Sequence, residues 1–333
     1  MKSILLLVLT FILFVQPASF AQQNEPLGDE LTNRLKSEVF NVGILLQSEA
    51  VFSFQDDIFN GGRAFDLGAT RLDMRGVVDN NFTYRFQVDF RRQVSIIDAQ
   101  VGYMFSPEFR IVAGAFKPFL SIDLDPGPGD TDFMNRARQV GAMMNSREIG
   151  VTALGNHDGL NYRFGIYNGT GLTRQNDNRF MYTARVGYAF ETGSNTLEIG
   201  FNGMLNQTRM ANVGNTGLTS VDDRLLYGGY LKFDSDVFFV NTEFLQTKFD
   251  AVEFAGAEET ITGFFATLGA RVNPKSELLI RWEYLDFDID TVGSELLVLG
   301  WNHQATSLVS FAVNLLIDDY DNFGAAALMQ FQF

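Results

Sequence analysis

The stretch Phe82–Phe90, FTYRFQVDF, indicates the fold class because apolar and polar side chains alternate along its whole length. Every second residue is Phe, Tyr or Val, and the residues between them are Thr, Arg, Gln and Asp. Since successive side chains of a β-strand point to opposite faces, this pattern predicts a strand with one apolar and one hydrated face. Residues 180–190 and 323–333 repeat the pattern. The sequence therefore predicts an all-β protein.

The same pattern along the rest of the chain predicts sixteen strands, most of them 9 to 13 residues long. Strands of soluble proteins are usually about 5–6 residues long, whereas a tilted strand that crosses a bilayer needs about 9–11. The lengths therefore favour membrane-spanning strands. The predicted strands are residues 44–54, 66–78, 82–90, 97–105, 109–117, 147–155, 160–168, 180–190, 197–205, 224–233, 237–248, 261–272, 276–287, 295–303, 306–316 and 323–333.

The connections between these strands alternate between short and long. Tight turns such as 79–81, 106–108 and 273–275 alternate with longer segments such as 118–146 and 206–223. Outer-membrane barrels have short periplasmic turns and longer external loops, and an even strand count. A soluble β-sandwich, which is the alternative, predicts neither the alternation nor such long strands. We therefore predict a transmembrane antiparallel β-barrel of sixteen strands, in the outer membrane of a Gram-negative-type bacterium.

The first residues have the composition of an export signal. Lys2 is followed by the uncharged apolar run Ile4–Val15, and Ser19 and Ala21 are small residues where a signal peptidase reads the chain. The apolar run is too short to span a bilayer as a helix. We expect a cleaved signal peptide at 1–21, a short periplasmic leader, helical or flexible, at 22–42, and the barrel at 43–333.

The composition excludes several other classes of protein. The chain of 333 residues has no cysteine, so it has neither disulfides nor a thiolate metal site. Its formal net charge of −15 argues against binding to a nucleic-acid backbone. His157 and His303 are its two histidines, neither has a serine at a motif spacing, and the GxSxG pattern is absent. We therefore expect no enzymatic activity and no cofactor.

Several segments in the first half of the predicted barrel carry a resemblance to a known family. The segment Gly114–Phe119, GAFKPF, opens the longest loop, and Arg147–Val151, REIGV, leaves it. Together with Asp98–Tyr103, Tyr162–Gly171 and Asn178–Tyr188, these segments resemble the phosphate-selective porin O and P family. The resemblance implies a sixteen-stranded homotrimeric channel whose long third external loop folds into the lumen and whose basic residues select anions.

The resemblance also implies the partners of the chain. The C-terminal Phe333 is similar to the aromatic end that barrel-assembly machinery recognises in such proteins. Outer-membrane lipid and lipopolysaccharide would surround the barrel, and small anionic or neutral solutes would pass through it. The sequence thus predicts a passive diffusion channel for small hydrophilic solutes, with phosphate among the candidates. The alternative is a non-conducting barrel that acts as a surface adhesin or receptor, which single-channel recording would distinguish.

Strand parity predicts which charged side chains line the lumen, because an Arg or Lys against lipid at mid-depth costs about 2–4 kcal/mol. Loop 118–146 adds further basic residues if it folds inward. An alternative is that these arginines pair with Asp73, Asp89 and Glu283 and only fill the wall. The residues that we expect to line or constrict the pore are Arg71, Arg85, Lys117, Arg136, Arg138, Arg147, Arg163, Arg185 and Arg281.

Acidic residues concentrate in the predicted external loops. Asp123, Asp125, Asp130 and Asp132 all lie within loop 118–146. Carboxylate clusters can bind Ca²⁺ through oxygen ligands, or bridge through divalent ions to lipid phosphates, but this spacing matches no defined calcium loop. The alternative is a solvated, solubilising surface, and these four residues are therefore only weak candidates for a metal site.

Overall fold

The computed structural model describes residues 35–54, 62–173, 177–289, 293–319 and 322–333. The predicted signal peptide and most of the predicted leader lie outside these residues. In the described part of the leader, Lys36 forms an isolated antiparallel bridge with Asn41, where the first strand begins. Among the described residues, no helix is long and apolar enough to cross a membrane.

The described residues contain eighteen strands in one sheet. We number them in chain order as follows: β1 Asn41–Ser53, β2 Arg63–Val78, β3 Phe82–Asp89, β4 Ser95–Ser106, β5 Phe109–Phe116, β6 Glu148–His157, β7 Leu160–Tyr167, β8 Met181–Thr192, β9 Asn195–Asn206, β10 Ala211–Asn212, β11 Thr219–Ser220, β12 Arg224–Asp234, β13 Phe238–Ala251, β14 Ala257–Asn273, β15 Ser276–Phe287, β16 Ser294–Gln304, β17 Val309–Asp318 and β18 Asn322–Gln332.

The sheet closes on itself because β1 pairs antiparallel with β18, from Leu45 opposite Gln332 to Ser53 opposite Gly324. Consecutive wall strands pair antiparallel around the rest of the barrel, and β9 pairs directly with β12. The two-residue strands β10 and β11 therefore belong to the β9–β12 connection and not to the wall. The wall has sixteen strands, which confirms the predicted barrel, and each predicted strand overlaps an observed one.

The outer surface of the barrel is apolar, as a bilayer requires. Val101 of β4 is 64% exposed and Phe201 of β9 is 72% exposed, although both are large apolar residues in the middle of a strand. In lipid every backbone N–H and C=O must be paired within the protein, and a closed barrel pairs them all between strands. The strand periodicity seen in the sequence is thus the periodicity of lipid-facing and lumen-facing side chains.

The lumen is not uniformly polar. Met181, Met204, Leu226, Leu245 and Ile261 point inward from β8, β9, β12, β13 and β14, and each is at most 3% exposed. They pack with loop residues in the largest buried apolar cluster of the described structure. One side of the barrel interior is therefore an apolar surface that a loop covers, which strand parity alone does not predict.

Two loops cover this apolar surface. The loop between β5 and β6 contains helix α1, Arg138–Met143, and buries Leu120, Leu124 and Met143 almost completely. The β9–β12 connection lies against it, since Asn215 N donates to Gly141 O at 2.7 Å. A short 3₁₀ helix, Val252–Phe254, follows β13.

Substitution of Val101 by Arg tests the orientation of the wall. We expect Val101→Arg to destabilise the barrel by about 2–4 kcal/mol because it places a guanidinium against lipid. The neighbouring Gln100→Arg puts the same side chain in the lumen and should cost much less. Equilibrium unfolding in guanidinium with liposomes measures both; equal losses would contradict the assigned faces.

Candidate functional site: the constriction of the lumen

The loop that runs from Lys117 to Ser146 crosses the lumen and is attached to most of the wall. Its first attachment is Glu243 of β13, a wall carboxylate that is 1% exposed. Glu243 accepts hydrogen bonds from Ser121 Oγ at 2.5 Å, Ile122 N at 3.0 Å and Gln139 Nε2 at 3.2 Å. Ser121 and Ile122 precede helix α1 and Gln139 is part of it, so one carboxylate holds both limbs of the loop.

In the second attachment the carboxylate belongs to the loop and its partners belong to the wall. Asp125 Oδ2 lies 2.6 Å from Arg163 Nη1 and 2.8 Å from Arg185 Nη1, on β7 and β8. The two guanidiniums also lie over aromatic rings, Arg163 over Phe119 and Arg185 over Tyr230. These arginines thus neutralise and position a loop carboxylate, which occupies their Nη1 groups.

The third attachment joins the start of helix α1 to β15. Glu283 Oε2 accepts a hydrogen bond from Arg138 N at 2.9 Å and lies 3.4 Å from Arg138 Nε. Its other oxygen lies 2.7 Å from Arg281 Nε, and Arg281 Nη2 donates to Asn135 O at 2.9 Å. Arg138 and Arg281 therefore also act as anchors between the loop and the wall.

The middle of the loop reaches the opposite side of the barrel. Gln47 of β1 donates to Pro128 O at 3.0 Å, and Gln330 of β18 donates to Gly129 O at 3.0 Å. Among the described residues, no hydrogen bond or ion pair joins residues 118–146 to β2, β3 or β4. The space that the loop leaves uncovered therefore lies along these three strands.

Ion pairs line this uncovered side. Arg71 Nε lies 2.9 Å from Asp89, and Arg85 makes a two-point contact with Asp73 at 2.9 and 3.1 Å. Arg147, the residue before β6, reaches across to β4, where its Nε lies 3.0 Å from Asp98. The three arginines are thus balanced by three aspartates, Asp89, Asp73 and Asp98. Pairing of the wall arginines with Asp73 and Asp89 is the alternative given in the sequence analysis.

The loop contributes two more cations at the same place. Lys117 Nζ donates to the carbonyl oxygens of Leu124 and Asp125 at 2.8 and 3.0 Å. Arg136 donates to the carbonyl oxygens of Asp123 and Pro126. Both cations bind neutral carbonyl groups, so neither charge is cancelled by its hydrogen-bond partner.

Burial and like charges act on both loop cations. Burial, followed by the charges of Arg136 and Arg147, lowers the pKa of Lys117 to about 7. Burial likewise lowers the pKa of Arg136, and the nearby charges of Arg147 and Arg71 act in the same direction. Arg71, Lys117, Arg136 and Arg147 thus lie close enough to influence one another.

We call the constriction cluster the five cations and four acids that border the uncovered side. Its cations are Arg71, Arg85, Lys117, Arg136 and Arg147, and its acids are Asp73, Asp89, Asp98 and Asp130. Asp130 belongs to the loop and interacts electrostatically with Arg85. The excess of positive charge is small. On its external side, Arg136 and Arg147 line a cavity of 560 Å³ together with Arg138.

The four loop aspartates do not converge on one point. Asp125 binds the two arginines described above, and Asp123 Oδ2 accepts from Ala137 N at 2.6 Å. Asp130 accepts from Gln332 and Asp132 from Asn241. Within the residues that the structure describes, no group of three or more His, Cys, Asp or Glu side chains is arranged to hold a metal ion.

Phe333 closes the barrel at its periplasmic end. Its backbone N donates to Ile44 O at 3.0 Å, its O accepts from Ile44 N at 3.3 Å, and Lys36 Nζ lies 4.6 Å from the ring centroid. Sequence reasoning missed the role of Glu243 as an anchor of the loop. The inward face of β13 carries no cation near Glu243, so the strand pattern offers no signal for an anchor.

A closed sixteen-strand barrel that is narrowed by an inward loop is the architecture of the outer-membrane porins, and solved structures agree. The anion-selective porin of Comamonas acidovorans superposes with a TM-score of 0.66 at 13% identity, covering 88% of this chain and 99% of that one. OprB of Pseudomonas putida superposes with a TM-score of 0.69 at 8% identity, covering 92% and 96%. At these identities the similarity shows the fold alone.

The family follows from the sequence match. Residues 40–224, more than half of the chain, match the family described as phosphate-selective porin O and P. The chain belongs to this family, and it is therefore a porin, a passive channel of the outer membrane. No curated protein sequence matches the chain. The family and the fold are those of channel proteins.

Removal of the Glu243 carboxylate tests its role as the loop anchor. Glu243→Ala leaves four buried donors, including Asn202 Nδ2, without an acceptor, so we expect a loss of about 2–4 kcal/mol in unfolding free energy. We also expect larger and noisier single-channel currents, because both limbs of the loop are released.

The matched control is Glu198→Ala, which removes another inward-facing carboxylate that hydrogen-bonds Tyr230 and not the loop. Guanidinium unfolding and planar-bilayer recording provide the two measurements. If both variants give the same currents and the same stability, Glu243 does not anchor the loop.

Proposed function

We propose that small hydrophilic solutes pass between loop 118–146 and the wall of β2–β4, and that the constriction cluster gives the channel a weak preference for anions. The observation that carries this proposal is the arrangement of Arg71 and Arg147. Each is held through Nε by one carboxylate, Asp89 or Asp98. Within the described residues, their terminal Nη groups donate no hydrogen bond.

Such guanidiniums suit the transient binding of anions. The Nε contact fixes the orientation of the side chain, and the two Nη groups remain available for an oxyanion or a halide. In a narrow site with low dielectric, a small excess of charge acts more strongly than in bulk water. Rings of Arg or Lys favour anions in pores, which supports the assigned preference.

The nine predicted pore residues divide into two groups under this proposal. Arg71, Arg85, Lys117, Arg136 and Arg147 border the path and meet the solute. Arg138, Arg163, Arg185 and Arg281 hold the loop through Asp125 and Glu283, and they act on the solute only through the position of the loop. Transport in this form needs no chemical step.

Phosphate and the oligomeric state are parts of the same proposal. The family description supports phosphate as one of the anions that pass. The Nη groups of Arg71 and Arg147 would each bind one phosphate oxygen. A trimer form has been solved for OmpT of Vibrio cholerae, which superposes with a TM-score of 0.65 at 11% identity over 89% of this chain and 99% of that one. We propose a homotrimer for this chain as well.

Reversal potentials under a KCl gradient test the anion preference. We expect a chloride permeability above that of potassium in the native channel, and a reversal to cation preference in the double variant Arg71→Gln, Arg147→Gln, because Asp89 and Asp98 then lose their counter-charges. Arg271→Gln is the control because Arg271 pairs with Asp234 and Glu277, outside the loop and the constriction cluster, so we expect it to keep the native preference. Cation preference in the native channel would exclude the proposal.

The pH dependence of selectivity tests the position of Lys117. Its pKa of about 7 means that the ammonium charge is present below pH 7 and is lost as the pH rises through that value. We expect the chloride-to-potassium permeability ratio to fall by roughly two- to fivefold between pH 6 and pH 8. Lys117→Met should remove most of the change, and the remainder comes from Asp132, whose pKa is raised to about 6. An unaltered pH profile in this variant would place the titrating group elsewhere.

A further inference from the structure

A second cavity lies on the periplasmic side of loop 118–146. It borders Asp123 and Pro126, whose carbonyl oxygens bind Arg136 of the constriction cluster. Its volume is 360 Å³, and it opens beside the short turns after β8 and β12. Pockets for small molecules usually combine an apolar floor with a few polar groups, in a volume of about 300–1,000 Å³. Phe239 and Phe265 form the floor of this cavity, and the loop forms its roof through Ile122, Asp123 and Asp132.

The cavity contains a lysine that has no partner of its own. Lys232 of β12 lies opposite Glu198 of β9 and Asn241 of β13. Glu198 accepts a hydrogen bond from Tyr230 OH at 2.7 Å. Within the described residues, Lys232 makes neither a hydrogen bond nor an ion pair, so its ammonium remains free to bind a ligand.

The cavity also contains a carboxylate that lacks a counter-charge. Asp132 accepts a hydrogen bond from Asn241 Nδ2 at 3.3 Å, and no cation of the described residues lies within ion-pair distance of it. Burial and the neighbouring charge of Asp123 raise the pKa of Asp132 to about 6, with Glu277 acting in the same direction and Arg281 against it. The Asp132 carboxylate is therefore mainly ionised at neutral pH, and a ligand cation could pair with it.

Lys232 and Asp132 therefore flank the same amide. Asn241 lies beside Lys232 on the sheet and hydrogen-bonds Asp132 from the roof, yet the two charged groups form no ion pair with each other. The remaining cation of the cavity, Arg271, is already neutralised by Asp234 at 2.9 Å and lies over the ring of Phe239. Lys232 and Asp132 thus carry opposite charges in one small cavity, and within the described residues neither forms an ion pair. The further carboxylate opposite Lys232, Glu198, accepts the hydrogen bond from Tyr230.

We propose that this cavity is a subsite for zwitterionic solutes, namely free α-amino acids, with the carboxylate bound by Lys232 and the ammonium bound by Asp132. An α-amino acid carries both charges on one carbon and so complements both groups at once. A simple anion would be repelled by Asp132, Asp123 and Glu198, and a simple cation would leave Lys232 without a partner. The proposal rests on the channel function proposed above, and it adds a class of solute.

The aromatic floor supports the same ligand. Arg271 already covers the face of Phe239, but an amino-acid side chain gains from contact with the remaining apolar surface of Phe265. Asn241 can donate to a ligand carboxylate or accept from a ligand ammonium, since its amide carries both kinds of group. The cavity thus offers a partner to each part of the ligand.

Planar-bilayer recording tests the subsite. L-glutamine, added on the periplasmic side, should reduce the KCl current in a saturable manner. N-acetyl-L-glutamine lacks the ammonium and L-glutaminamide lacks the carboxylate, so each should need at least tenfold higher concentration for half-saturation. The KCl current without additives reports on the channel itself, so failure of the channel proposal is seen separately from failure of the subsite.

Two variants assign the roles of the charged groups. Lys232→Met should raise the half-saturating concentration of glutamine at least tenfold and should not raise that of glutaminamide. Asp132→Asn should raise that of glutamine equally and should not raise that of N-acetylglutamine. Lys275→Met is the matched control because Lys275 lies on a periplasmic turn, where it donates to Ala305 O, and does not line this cavity.

Three results would overturn the proposal. These are a reduction of current by glutamine that does not saturate, equal effects of the three compounds, and unchanged half-saturation in Lys232→Met. Both variants are shown to be folded by their KCl conductance, which the constriction cluster determines. Acidification provides a further check, since glutamine affinity should fall as the pH drops through 6 and Asp132 becomes protonated.

Discussion

The pairing of backbone groups in lipid is the constraint on which the structure depends. Hydrocarbon offers no hydrogen-bond partners, so the sheet must close, and closure is made by β1 and β18. Closure with sixteen strands encloses a lumen too wide for wall side chains to fill. A loop is therefore needed to narrow the lumen, and the long β5–β6 connection provides it.

An inward loop creates a second physical problem, because its backbone and carboxylates must be satisfied inside the barrel. Two kinds of contact satisfy the loop: apolar packing and buried polar anchors. Apolar residues of β8–β14 pack against Leu120, Leu124 and Met143, and buried ionic and hydrogen-bonding groups fix the loop at Glu243, Asp125 and Glu283. Within the described residues, the side along β2–β4 has charged groups and no hydrogen bond or ion pair to the loop.

The fold could be predicted from the sequence because a barrel wall is periodic. Alternation of side chains, strand length and loop length are local properties, and they gave all sixteen wall strands together with the short and long connections. The inward course of the loop was implied by the family resemblance alone, because strand periodicity carries no information about where a loop folds. Residues 1–34, which include the predicted signal peptide, lie outside the described part of the chain.

Which charged residues hold the loop and which remain beside the open space could not be predicted in the same way. Arg163 and Arg185 have the same parity as Arg71, but whether a guanidinium faces solute or a loop aspartate depends on a contact across about forty residues of sequence or more. The inward apolar residues Met204 and Leu245 were missed for a related reason. Strand parity separates the two faces of a strand, and the prediction assumed that the whole inner face contacts water. The loop covers part of the inner face and excludes water from it.

The contact between the β9–β12 connection and helix α1 has a consequence for the exterior of the cell. Gly214 approaches the backbone of Gly141 and Ala142 so closely that a side chain at this position would collide with it, and Val213 and Leu218 are buried beside the helix. An external segment and the aperture are thus mechanically coupled. A phage, an antibody or a neighbouring surface molecule that pulls on this segment also pulls on the helix that narrows the pore.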